Sequence, residues 1–134
     1  MMITAFELNT FIYKLLAGHT SINGGVYYDD DRPRDSQNED IVVNTIDVTM
    51  DSSPQLATSN VNIYVPDTAK IIDGSSQLKA NRTRLRELTK EIICLLKNAQ
   101  FVGIKLIVVN HNIISETNIN QHYSNIRINW NIQT

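Results

Sequence analysis

Residues 75–98, SSQLKANRTRLRELTKEIICLLKN, decide the fold, because no glycine or proline interrupts them and their apolar residues recur at helical spacing. Leu78, Leu85, Leu88, Ile92, Leu95 and Ala99 follow at steps of seven, three, four, three and four, which sets them on one core-facing stripe. Ile93 and Leu96 widen it. Ser75 or Ser76 can accept a backbone N–H at the start, so this pattern predicts one long central helix beginning near residue 75. Its other side carries Lys79, Arg82, Arg84, Arg86, Lys90 and Lys97 against Glu87 and Glu91, a positive face that needs water or a partner.

The flanking segments read as the packing partners of that helix. Thr4 and Glu7 have capping-box spacing, with Ile3 and Leu8 placed as a hydrophobic staple, so a first helix should start at Ala5. Leu8, Phe11, Ile12, Leu15 and Leu16 form its apolar stripe, and Gly18 can end it. Asn23-Gly24-Gly25 marks a turn before a brief strand, Val26-Tyr27-Tyr28. Residues 29–40 then lose any hydrophobic period and hold Asp29, Asp30, Asp31, Asp35, Glu39 and Asp40 against only Arg32 and Arg34. With no visible core anchor, this acidic segment is expected to be a mobile surface loop.

Alternation resumes at residues 41–50, with Val42, Ile46, Val48 and Met50 expected inward, and again at Val61, Ile63 and Val65, closed by Pro66. Residues 67–74 connect to the central helix. After it, residues 103–114 are apolar at nearly every position through Val109, as for a strand buried on both faces near the middle of a sheet. Ile126, Ile128, Trp130 and Ile132 alternate with Asn125, Arg127, Asn129 and Asn131 in a last strand with a polar outer face. The expected fold class is α+β, a single mixed, mostly antiparallel sheet with two helices packed on one face, in the order α-β-β-β-α-β-β. The first three strands can form an antiparallel meander, and a parallel pairing of the strands around the central helix would be right-handed.

At 134 residues the chain reads as one domain, large enough to bury a core without disulfides. A net charge of −2 argues against a generally basic nucleic-acid binder. The N-terminal apolar stretch carries Glu7 and Lys14, which speaks against a signal peptide or membrane anchor. Cys94, among Ile92, Ile93 and Leu95, reads as a small buried apolar residue rather than a nucleophile. Asn81-Arg82-Thr83 has the spacing of a glycosylation acceptor but falls within the expected helix.

Residues that could carry chemistry are sparse. Asp29-Asp30-Asp31 could ligate a divalent cation, yet the calcium-loop spacing is missing, and a solvated acidic loop is the simpler reading. His19, His111 and His122 have no metal-ligand spacing. Pro66-Asp67 resembles the proline-aspartate of a nuclease family, but the second acid and lysine of the next strand are missing, and Lys70 in a connecting loop does not supply them. No phosphate loop, nucleophile elbow or dinucleotide fingerprint occurs. Neither a metal nor another cofactor is expected. Arg82, Arg84 and Arg86 could meet phosphates, but no aromatic residues are interleaved for base stacking, and alternate positions spread around a helix. The acidic loop and basic helix instead suit head-to-tail contact between copies, with an internal salt-bridge network as the plainer alternative.

Taken in order, the amphipathic first helix before GGVYYDDDRP, the strands IVVNTIDVTM and SNVNIYV, the long helix and the final strands resemble the tail terminator (tail completion) proteins of long-tailed bacteriophages over nearly the whole chain. That resemblance implies a single tail-terminator-like domain over residues 1–134 and a structural virion protein rather than an enzyme. Such proteins form a ring, expected to be a hexamer, that caps the tail tube, ends its polymerisation and forms the surface on which the head docks. The implied partners are other copies of the chain, the tail tube protein and the head-tail connector protein, with DNA passing through unbound and no membrane. Assembly in the host cytoplasm and residence at the head-proximal end of the tail follow. Asp29, Asp30, Asp31, Asp35, Arg82, Arg84 and Arg86 are the candidates for channel-facing or subunit-contact roles. The alternatives are a head-closure or neck protein of the connector and, in a different class, a metal-dependent nucleic-acid enzyme.

Overall fold

An Asp-Gly turn changes the reading of the central stretch. In the structure, a computed structural model that describes residues 2–133, the chain runs α1 (Ala5–Leu16), β1 (Val26–Tyr28), β2 (Asp40–Val48), β3 (Gln55–Pro66), β4 (Thr68–Ile72), β5 (Ser75–Lys79), α2 (Arg82–Lys97), β6 (Ile104–Glu116) and β7 (Gln121–Ile132). Asp73 and Gly74 take positive φ, 51° and 77°, and close a two-residue hairpin between β4 and β5, the conformation that Asp-Gly favours. Residues 75–79 are therefore a strand, and Leu78 lies outside the core at 51% exposure. Lys70, expected in a loop, sits on β4.

The central helix starts seven residues later than its expected position near residue 75. Asn81 caps it, accepting the Arg84 N–H at 3.2 Å in place of either serine. From there the stripe holds through Ile92, after which Leu96 rather than Leu95 is buried and Ala99 lies beyond the helix end. Leu85, Leu88, Ile92 and Leu96 are buried, Ile93 and Leu95 pack at the margin, and Cys94 is exposed on the outer side rather than in the core. At the other end of the chain, the Thr4 N–H and hydroxyl both donate to the Glu7 carboxylate at 2.9 and 2.8 Å, which holds that carboxyl below the usual range. The first helix stops at Leu16, ahead of Gly18 at φ 76°.

The fold class is the expected one: α+β, with a mixed and mostly antiparallel five-stranded sheet in the order β1-β2-β3-β7-β6, both helices on one face, and the β4–β5 hairpin added beside it. Several strand placements differ. β1 runs parallel to β2, Val26 opposite Ile41, so the first three strands are not an antiparallel meander. Parallel neighbours need a connection of about a dozen residues, and the acidic segment supplies it. β7 lies between β3 and β6, pairing with both along its length, so β3 and β6 do not pair in parallel around α2. That insertion makes β6 an edge strand instead of a central one, with Ile107, Val109, Ile113 and Ile114 exposed.

On β2 the inward residues are Ile41 and Val43, both fully buried, while Ile46 and Met50 are exposed and Val42 lies on the opposite face against Asn62. A register irregularity between Thr45 and Asp47 reverses the phase, returning Val48 to the helix side opposite Ala57. β3 and β7 alternate as expected, and Val61, Ile63, Ile126, Ile128 and Trp130 meet Leu8, Ile12, Leu88 and Ile92 in one core.

Several buried polar side chains on the helix side of the sheet are paired with one another. The Trp130 indole donates to Ser59 Oγ at 2.9 Å, Ser59 bonds Thr45, and the Thr45 hydroxyl donates to Asn9 on α1. Gln55 pins the N-terminal segment through two 3.0 Å bonds with the Ile3 backbone. The other face of the sheet is lined with asparagine, and the Asn125 amide donates to Asn62 and Asn60 at 2.7 and 3.2 Å.

Candidate assembly surface

The acidic segment divides into a pinned half and a free half. Asp40, fully buried, accepts from the Gly25 N–H at 2.9 Å, from Arg32 Nε at 2.8 Å and from the Ser36 hydroxyl. Arg32 also donates to Gln121 Oε1 at 2.8 Å and lies 4.2 Å over the Tyr64 ring, while Gln121 donates back to the Ser36 carbonyl. Residues 29–40 therefore have the core anchor that their lack of hydrophobic period concealed. Asp29, Asp30, Asp31 and Asp35 remain exposed and, among the described residues, belong to no ion pair.

The basic helix divides in the same way. Arg84 faces the two loops that flank β1, where it donates to both Glu39 oxygens at 2.7 and 2.9 Å and to the Ser21 carbonyl at 2.6 Å. Its hydrogen bonds with Glu39, more than the desolvation that opposes them, hold the guanidinium charge even more firmly than usual. Glu91 on the same side accepts from the Ser21 N–H and hydroxyl. Arg84, grouped by sequence with Arg82 and Arg86, is thus committed inside the subunit. Replacing Arg84 by alanine strands the partly buried Glu39 carboxylate and should cost about 1–3 kcal/mol in denaturant unfolding. Arg82→Ala and Arg86→Ala should each stay within about 0.5 kcal/mol of wild type.

Arg82, Arg86 and Lys90 recur every four residues and so share the opposite side of α2, facing β6. None of them belongs to an ion pair among the described residues. With Leu85, Thr89, Ile93, His111 and Ile113 they line a groove of about 560 Å³ between the helix and the edge strand. Its floor is apolar and its rim basic. The four-residue repeat was present in the sequence, but grouping the arginines as alternate positions hid it.

The remaining candidate groups are dispersed. His122 Nδ1 lies 2.7 Å from Asp67 Oδ1, and His19 and His111 are exposed on other elements. Among the described residues, no three His, Cys, Asp or Glu side chains are arranged to hold a metal ion, and no helix is long and apolar enough to cross a membrane. No known protein family has a sequence profile that matches this chain, and no curated protein matches it significantly.

Proposed function

We propose that this protein is a structural virion protein that closes as a ring on the end of a phage tail tube, stops tube growth and offers the head its docking surface. The observation that carries this reading is the open sheet edge. β6 is 13 residues long and, among the described residues, has β7 as its one neighbouring strand, yet it leaves Ile107, Val109, Ile113 and Ile114 exposed. Natural sheets blunt such edges with charge, proline or a covering element, so a long apolar edge is suited to joining another chain. The resemblance in element order supports the tail terminator as the kind of assembly. The ring's neighbours are then the tube protein on one side and the connector on the other, with DNA passing through its channel.

Deleting the gene from its phage and measuring tails by electron microscopy tests this directly. Tails should overgrow to variable lengths and fail to join heads. Tails of normal length that lack heads would instead support a neck protein. Tails that are normal and joined to heads would remove the chain from assembly altogether.

A further inference from the structure

We infer that the α2–β6 groove of one copy receives the acidic turn of a second copy, Asp29 to Asp31 with Asp35, so that subunits join by opposite edges of their sheets. The strand order places the two surfaces. The groove borders β6 at one end of β1-β2-β3-β7-β6, and the acidic turn continues directly from β1 at the other. Two different patches on opposite edges make a heterologous contact, in which an open assembly of any length keeps one patch of each kind free at its ends. Such contacts repeat in one direction until a ring closes.

Charge selects the occupant. Arg82, Arg86 and Lys90 face the groove without carboxylate partners among the described residues. Other acids of the subunit have partners of their own: Glu39 is held by Arg84, Asp40 by Arg32, Glu91 by Ser21 and Asp67 by His122, while Glu87, 3.3 Å from Arg84, is the one acid that also borders Arg82, Arg86 and Lys90 among the described residues. The exposed turn offers Asp29, Asp30, Asp31 and Asp35, with Arg34 its one exposed base. Exposed Pro33 sits among these acids and can meet the apolar floor of Leu85, Ile93 and Ile113. Duplex DNA also presents negative charge, but phosphates gain nothing from an apolar floor, and the four free aspartates at the other edge repel them.

The contact rests on the ring reading for its purpose but is measured in the purified protein, so it can fail while tail termination stands. The full chain is followed by sedimentation velocity over a concentration series at low and high salt. Wild type should associate at low salt and dissociate at high salt. A groove variant, Arg82→Ala/Arg86→Ala/Lys90→Ala, and a turn variant, Asp29→Asn/Asp30→Asn/Asp31→Asn, should each weaken association at least about tenfold, since individual exposed pairs contribute little but are lost together.

Mixed together, the two variants should stop at a one-to-one dimer, because each supplies the patch the other lacks. In a Cys94→Ser background, Asp30→Cys and Arg86→Cys should be joined between copies by a short bifunctional maleimide. The inference is overturned if both variants associate like wild type, or if wild type stays monomeric at its highest soluble concentration and gives no cross-link. Binding of labelled duplex DNA by wild type and the turn variant, lost in the groove variant while self-association persists, would reassign the groove to DNA.

Discussion

Leu88→Ala is expected to destabilise the fold by about 2–5 kcal/mol in chemical denaturation. Leu88 is fully buried at the middle of α2, in the same core as Leu8 and Ile12 of α1 and Val61, Ile126 and Trp130 of the sheet. Truncation removes apolar packing between the helix layer and the sheet, and the surrounding strands are held too firmly by their ladders to collapse into the space. Leu78→Ala provides the control. Both leucines fit one helical stripe by spacing, but Leu78 lies on the hairpin at 51% exposure, so its loss should cost no more than about 0.5 kcal/mol. Equal effects at the two positions would mean that the helix does begin near residue 75.

Asp40→Ala should be as damaging, at about 3–5 kcal/mol, for an electrostatic reason. The carboxylate is fully buried, and the Arg32 side chain beside it is 10% exposed, so removing the acid leaves a buried guanidinium with only neutral acceptors and the Tyr64 ring. The Gly25 N–H and Ser36 hydroxyl lose their acceptor in the same step. Unfolding of Asp40→Ala, Arg32→Ala and the double variant would separate the pair's coupling from the packing loss. A coupling energy near zero, with Asp40→Ala costing under about 1 kcal/mol, would show that the pair does not anchor residues 29–40.

Much of this architecture was legible from period alone. β7 and the C-terminal half of β3 show strict alternation, and α1 announced itself through Thr4, Glu7 and its stripe. The failures have separate physical causes. Helical spacing of Leu78 with Leu85 was coincidental, and the Asp73-Gly74 turn outranked it. The apolar run at residues 104–109 matches a strand buried on both faces, but run length does not say where in a sheet a strand lies; that depended on β7 inserting between β3 and β6. On β2, the Thr45/Asp47 irregularity shifted the phase, which no alternation rule anticipates.

For the surface, the residue types were legible but their allegiance was not. Arg82 and Arg84 are two positions apart and similar in chemistry, yet they point to opposite sides of α2 and only Arg84 meets Glu39. Likewise Asp40 is buried while Asp29 to Asp31 are free, a difference set by Arg32 of the same segment, which Gln121 on distant β7 holds in place.

The β4–β5 hairpin gives the molecule two stabilities instead of one. Among the described residues its strands pair only with each other, almost all of its residues are exposed, and Ile71 stands 80% exposed near the tip. A lone two-stranded ribbon is marginal in water, so this segment can open and reclose without disturbing the sheet that Leu88 and Trp130 hold together. Its amides should exchange with solvent long before those of β3 and β7. Any neighbour that grips the arm must first supply the free energy of ordering it.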